Sequence, residues 1–508
     1  MTHRAASTLR SRLVSLASGL VLLSAAGAPV RAAETPATPK LVAAAKADDV
    51  HAALALLDKG ANADESEPDG TTALMWAVHY GELELTDKLI AAGAGVGRVN
   101  GYGASAMSEA AVRADPELLA RLLAAGADVD SANADGQTAL MVVARSGNVA
   151  AAKVLIDHGA MVDAREARKG QDALMWAAAQ SQPQMVQLLL EHGADPNARS
   201  TTHDWPRKVT SEPRMKENPS GGFTPLLYAA REGCTECAKS LVDGGADIDL
   251  PDPDGVTPLL SAVLSAHFDT AKYLVEAGAN VNKWDWWGRT PLYAAIDYDT
   301  IPHGGRPDLP SLDATSSLAL AKLLIDRGAN VNAQLKLFPP YRSLRMDRGA
   351  DSVLTIGTTP LIRAARGADL DAMRLLLAHG ALVDLPQAEG VTALMVAVGA
   401  GASPIDTRGK FRTEPEALAA AKVLAEARAN LNARDARGRT ALHAAAGQGY
   451  GDIVRWLVAQ GADPKAADAD GATPIDAALG KLAGRGRGGA AHPEIAELLR
   501  QLAAAPGN

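Results

Sequence analysis

The chain has 508 residues, of which 47% are hydrophobic and only 4% aromatic, and it carries a formal net charge of −9 at pH 7. That balance excludes general binding to nucleic acid or to an acidic membrane surface, and mainly implies solubility. Two cysteines cannot build a disulfide framework, and they leave a zinc site without its second ligand pair.

Residues 1–32 read as an export signal. Arg4, Arg10 and Arg12 precede an apolar run from Leu13 to Leu23, and small residues follow. Val30-Arg31-Ala32 fits the small-residue cleavage rule and starts the mature chain near Ala33. The run is too short to span a membrane, and no other apolar stretch is long enough. Residues 33–40 form a Pro-rich leader. Residues 41–508 read as one domain, expected as a monomer in the periplasm or the secreted fraction.

From residue 41 onward the chain repeats itself. Gly-Ala falls at 60, 93, 126, 159, 193, 245, 278, 328, 380 and 461, with Arg428-Ala429 where an eleventh pair belongs. A fixed period in this range means stacked units, none of which buries its own apolar face. A second marker follows most pairs by about a dozen residues, as in Thr72-Ala73-Leu74, Thr224-Pro225-Leu226 and Thr359-Pro360-Leu361. Thr is an N-cap, and Pro at the next position loses no helical hydrogen bond. A second helix carries apolar residues at helical spacing, as in Val186-Leu189-Leu190, and ends at the Gly. An Asp/Asn segment and a turn such as Asp254-Gly255 complete the unit. Ser105 and Asp172 replace the capping Thr in two degenerate units.

Helix, turn, antiparallel helix and protruding turn resemble the ankyrin repeat family. Its Gly-Ala-Asp/Asn-x-Asn ending is reproduced at Gly278–Asn282 and Gly328–Asn332, and Thr440-Ala441-Leu442-His443 comes nearest to its Thr-Pro-Leu-His pattern. The resemblance implies an all-α repeat solenoid over roughly residues 40–505. It would hold an N-terminal half-repeat, ten full repeats and a C-terminal cap from Thr473. Four long insertions interrupt the period, at Arg199–Pro219, Tyr298–Ser316, Leu335–Ile356 and Ala400–Glu414.

In that family the residues flanking the turn Gly and ending the first helix line a concave binding face. The resemblance therefore implies that Trp286, Trp287, Arg289, Asp297 and Tyr298 stand together there. Arg231, Glu232, Arg366, Arg437 and Arg439 take equivalent positions elsewhere. Aromatics and arginines are the residues enriched in binding hot spots. Three insertions are basic and carry aromatics. Trp205, Arg207, Lys208, Arg214 and Lys216 lie in the first, and Phe338, Tyr341, Arg342, Arg345 and Arg348 in the third. Arg408, Lys410, Phe411 and Arg412 lie in the last. Such a surface suits an acidic or extended protein partner.

No Gly-x-Ser-x-Gly elbow, His-Glu-x-x-His helix or phosphate loop occurs. His158, His192 and His379 precede closing glycines and read as helix C-terminal residues. Cys234 and Cys237 begin a second helix, and their spacing allows either a local disulfide or two buried thiols. The expected function is a non-catalytic protein-binding scaffold without cofactor or metal. A secreted effector of a host protein is the alternative. An enzyme would need its site in the insertions, with His203, Asp204, His303 and Asp308 as its cluster.

Overall fold

A computed structural model describes residues 38–207, 216–299, 311–337, 353–401, 412–482 and 490–504, with only the backbone described over 203–207 and 216–220. Among these residues, 24 helices form twelve antiparallel pairs in chain order. First helices stack on first helices along the whole array, from Lys40–Lys46 to Pro474–Ala478, and second helices form an outer row behind them. One continuous apolar core runs between the rows, built largely from Ala on the inner helices and Leu on the outer ones. The small alanines let the inner helices approach closely, which is why they sit at the crowded side of the stack.

The capping residues act as their chemistry dictates. The Thr224 and Thr359 hydroxyls accept from the amides of Leu227 and Ile362, at 3.2 Å each. The two degenerate markers cap as well. Ser105 exchanges hydrogen bonds with Ser108, and Asp172 accepts from Met175 at 2.8 Å. His158 and His379 bond their ring Nδ1 to the carbonyls of Val154 and Leu375 in the last helical turn.

The Asp/Asn segment is an inter-repeat ladder. Asn282 donates its side-chain amide to Gly328 of the next unit at 2.9 Å and accepts from the Asn330 amide at 2.7 Å. Asn332 repeats this toward Gly380 and Leu382, at 3.1 and 2.8 Å. The turn tips are joined by backbone bonds such as Trp286 N–H to Asp254 C=O, at 2.7 Å.

Two features differ from the sequence expectation. The N-terminal unit is a complete helix pair, Lys40–Lys46 and Val50–Asp58, not a half-repeat. Asp49 caps its second helix by accepting from Ala52. The first insertion holds a two-stranded antiparallel hairpin, Thr202–Arg207 against Lys216–Gly221, in an otherwise helical fold. Its alternation is weak and a Pro interrupts each strand, so no period-two signal announced it.

Candidate functional site

The concave face is made by the inner helices and the turn tips. The residues expected there are present, but the fold has engaged most of them. Trp286 is 52% exposed on its turn, whereas Trp287 is 8% exposed and turned inward. Arg289 lies over the Trp287 ring at 5.1 Å and donates its Nε to buried Asp285 at 2.6 Å. Asp297 is ion-paired with Arg363, a fully buried arginine from the following unit. Tyr298 packs edge-on against Phe268 with ring centroids 4.9 Å apart.

Elsewhere Arg366 is 2% exposed in the last turn of the helix Pro360–Gly367, so the expectation of an open arginine at that register is corrected. Arg412, from the end of the last insertion, is buried too. It donates to the carbonyls of Ala365, Arg366 and Val396 and so ties two inner helices together. Arg439 pairs with buried Asp468 at 3.1 Å. Arg231 lies over Phe223 and Tyr228 and pairs with Glu232, while remaining at the surface. Arg437 is exposed at its turn tip; its amide donates to Asp435, and no hydrogen bond or ion pair holds its guanidinium among the described residues.

Phe338, Tyr341, Arg342, Arg345, Arg348, Arg408, Lys410 and Phe411 lie outside the described residues, as do His303 and Asp308. Trp205, His203, Asp204 and Arg207 fall on the first hairpin strand, where only the backbone is described. Cys234 and Cys237 are bridged. Cys234 is the N-cap of the helix Thr235–Asp243, and both sulfurs lie in the core layer.

A cavity of about 510 Å³ opens on the concave side between the turns at 387–391 and 435–440. Its origin is local. The inner helix Ala393–Ala397 has only 5 residues and gives way to Gly399 and Gly401, whereas the helices on either side, Pro360–Gly367 and Ala441–Gly447, have 8 and 7. Gly399 takes φ 110°, a left-handed conformation suited to glycine. The wall carries Gln387, Glu389, Asp435, Arg437, Arg439 and His443.

Several of these groups are consumed by the fold. One Asp435 oxygen accepts from the Arg437 and Arg439 amides, at 2.8 Å each. His443 Nδ1 caps toward Thr440 and its Nε2 meets the Ala472 carbonyl at 3.2 Å. Burial holds this imidazole below the usual histidine range, which keeps it neutral. Gln387 differs. It is 3% exposed, its Oε1 accepts from the Glu389 amide, and its Nε2 has no partner. Sequence reading passed over this residue. The available signals were a Gln where most turns place Asp or Asn, and two glycines where a first helix should continue.

Among the described residues, no group of three His, Cys, Asp or Glu is placed to hold a metal ion, and no helix is long and apolar enough to cross a membrane.

Comparison with known proteins agrees with this architecture. Family models described as ankyrin repeats (3 copies) match residues 41–133, 107–200, 209–285 and 226–335. Models for ankyrin repeats (many copies) and for a single ankyrin repeat match 424–478 and 356–387. The chain is 34% identical over 121 residues to ankyrin repeat domain-containing protein 63 of Homo sapiens, covering 23% of this chain and 29% of that protein. It is 36% identical over 122 residues to ankyrin repeat and SOCS box protein 16 of Mus musculus, covering 24% and 25%. It is 44% identical over 59 residues to protein phosphatase 1 regulatory subunit 27 of Mus musculus, covering 12% and 38%. The chain thus spans well under half the length of these relatives, and what they share with it is the repeat. With matches that cover more than half of its residues and a helix-pair stack throughout, the chain belongs to the ankyrin repeat family.

Proposed function

We propose that this protein is a non-catalytic, exported scaffold, periplasmic or secreted, that holds a protein partner along its concave face with help from its insertions. The observation that carries the reading is the uninterrupted stack of twelve helix pairs, whose ridged inner side offers turn tips and a cavity to a partner. The family's repeats imply protein–protein interaction. The N-terminal Arg-apolar-small pattern supports export, and the Cys234–Cys237 bridge suits an oxidising compartment. Exposed Trp286, Arg231 and Arg437 are the contacts expected first, and the basic insertions favour an acidic partner surface.

Affinity capture with the chain from residue 33 onward, followed by mass spectrometry, tests the reading. A protein retained by wild type and lost on salt-insensitive blockade of the concave face supports it. Capture of nothing above background counts against it. Fractionation of the producing cells checks export, and a chain confined to the cytosol overturns that part.

A further inference from the structure

The cavity between the turns at 387–391 and 435–440 has one feature the repeat does not need. At the equivalent turn position of three other units, the second polar atom of the side chain is satisfied within the fold. Asn100 donates to Thr71 at 3.1 Å, Asp285 accepts from Arg289, and Asp468 accepts from Arg439. Gln387 is longer by a methylene, it lines the cavity, and its buried Nε2 has nothing to donate to among the described residues. A buried amide without a partner is costly, and native proteins retain such groups where something else completes them.

Among the described residues two further groups stand unpaired at the same cavity, the Arg437 guanidinium and the Glu389 carboxylate, both exposed at turn tips. They line one opening yet form no ion pair with each other. The floor is Gly399, Ala400 and Gly447, which lets a main chain lie close.

The geometry points to a peptide subsite: an extended segment of a partner lies in this cavity, one of its carbonyls accepts from Gln387 Nε2 as that side chain turns toward the opening, and an acidic side chain pairs with Arg437. Other ligand classes fit less well. Glu389 opposes a polyphosphate, and among the described residues no aromatic ring lines the cavity for a nucleobase to stack on. Glu389 instead receives a main-chain amide or a basic neighbour of the bound acid. At about 510 Å³ the space holds a few residues. This inference rests on the scaffold reading and names one stretch of the groove.

The test uses the purified full-length chain and a positional library of N-acetylated, C-amidated octapeptides with one residue fixed in each pool. Wild type is expected to enrich pools with fixed Asp or Glu at one position. Arg437→Glu, an exposed change, should abolish that preference and favour Lys or Arg. Gln387→Met should weaken the best pool at least about tenfold without altering which residue is preferred, since it removes the bond to the peptide together with the turn bond from the Glu389 amide. A wild-type chain with no positional preference, or a preference that survives Arg437→Glu, overturns the subsite. Affinity capture run in parallel separates the two ideas. A partner held equally by wild type and Arg437→Glu leaves the scaffold standing and removes this subsite from it. No captured partner, with the acidic preference intact, removes the scaffold reading and keeps the cavity.

Discussion

At position 428 an arginine stands where ten other units close a helix with glycine, and its φ is 63°. A side chain in the left-handed region crowds its own backbone, at about 1 kcal/mol for a non-glycine residue. Arg428 is exposed, so Arg428→Gly should raise stability by about 0.5–1 kcal/mol, readable as a higher urea midpoint at constant slope. An unchanged or lower midpoint would show that the guanidinium contributes more than the backbone strain removes. Asp172 offers a pH test. Burial raises its carboxyl to about 6, from 3.8 in the exposed chain. The folded state therefore binds the proton more tightly than the unfolded state. The ionised form destabilises the fold above pH 6, and that penalty fades as pH falls toward 4. Asp172→Asn keeps an acceptor for the Met175 amide without titrating. It should flatten the stability slope between pH 4 and 6 and stabilise the protein at pH 7, by up to about 3 kcal/mol. Urea unfolding at pH 4, 5 and 7 measures both effects, and a slope identical to wild type refutes the assignment. The paired tryptophans separate core from surface. Trp287→Ala should cost about 3–4 kcal/mol as a large buried side chain, while Trp286→Ala should leave stability within about 0.5 kcal/mol. Equal losses in thermal unfolding would mean both rings are structural.

The elements were legible wherever a local rule writes them. Thr before a Leu-rich stretch, Gly at the outer helix end and Asp/Asn between units each act within a few residues, so the helix pairs follow from the chain alone. Ser105 and Asp172 were read as degenerate markers, yet a side-chain oxygen at that position suffices to cap. The hairpin Thr202–Arg207/Lys216–Gly221 was not legible, because its strands lack alternation. The disulfide belongs to this scale too, since it spans only the first turn of Thr235–Asp243. Closing so short a loop removes little entropy from the unfolded chain, so reduction should cost at most about 2 kcal/mol. Intact mass and alkylation without reductant check the bridge, and quantitative alkylation would show two free thiols instead.

For the whole molecule, each unit touches its neighbours alone, so the array should tolerate being cut between units. A chain ending at Asn332 keeps eight helix pairs, from Lys40–Lys46 to Ser317–Asp326, and should retain helical circular dichroism. Its freshly exposed end should make it aggregate sooner than the full chain, and complete loss of helicity would refute nearest-neighbour stabilisation. The sequence by itself determined the period, the caps, the register and the positions of the insertions, because those depend on contacts close along the chain. Only the tertiary structure decided which concave-face residues remain open. Arg363 and Asp297 are 66 positions apart, and Arg439 and Asp468 are 29 apart. Trp287 is covered while Trp286 is not, although the two are adjacent in the chain. Charge pairing and burial depend on what the stack brings alongside each side chain, and the insertions change that from one unit to the next. For the same reason, the unsatisfied amide of Gln387 became visible only when its neighbours were in place.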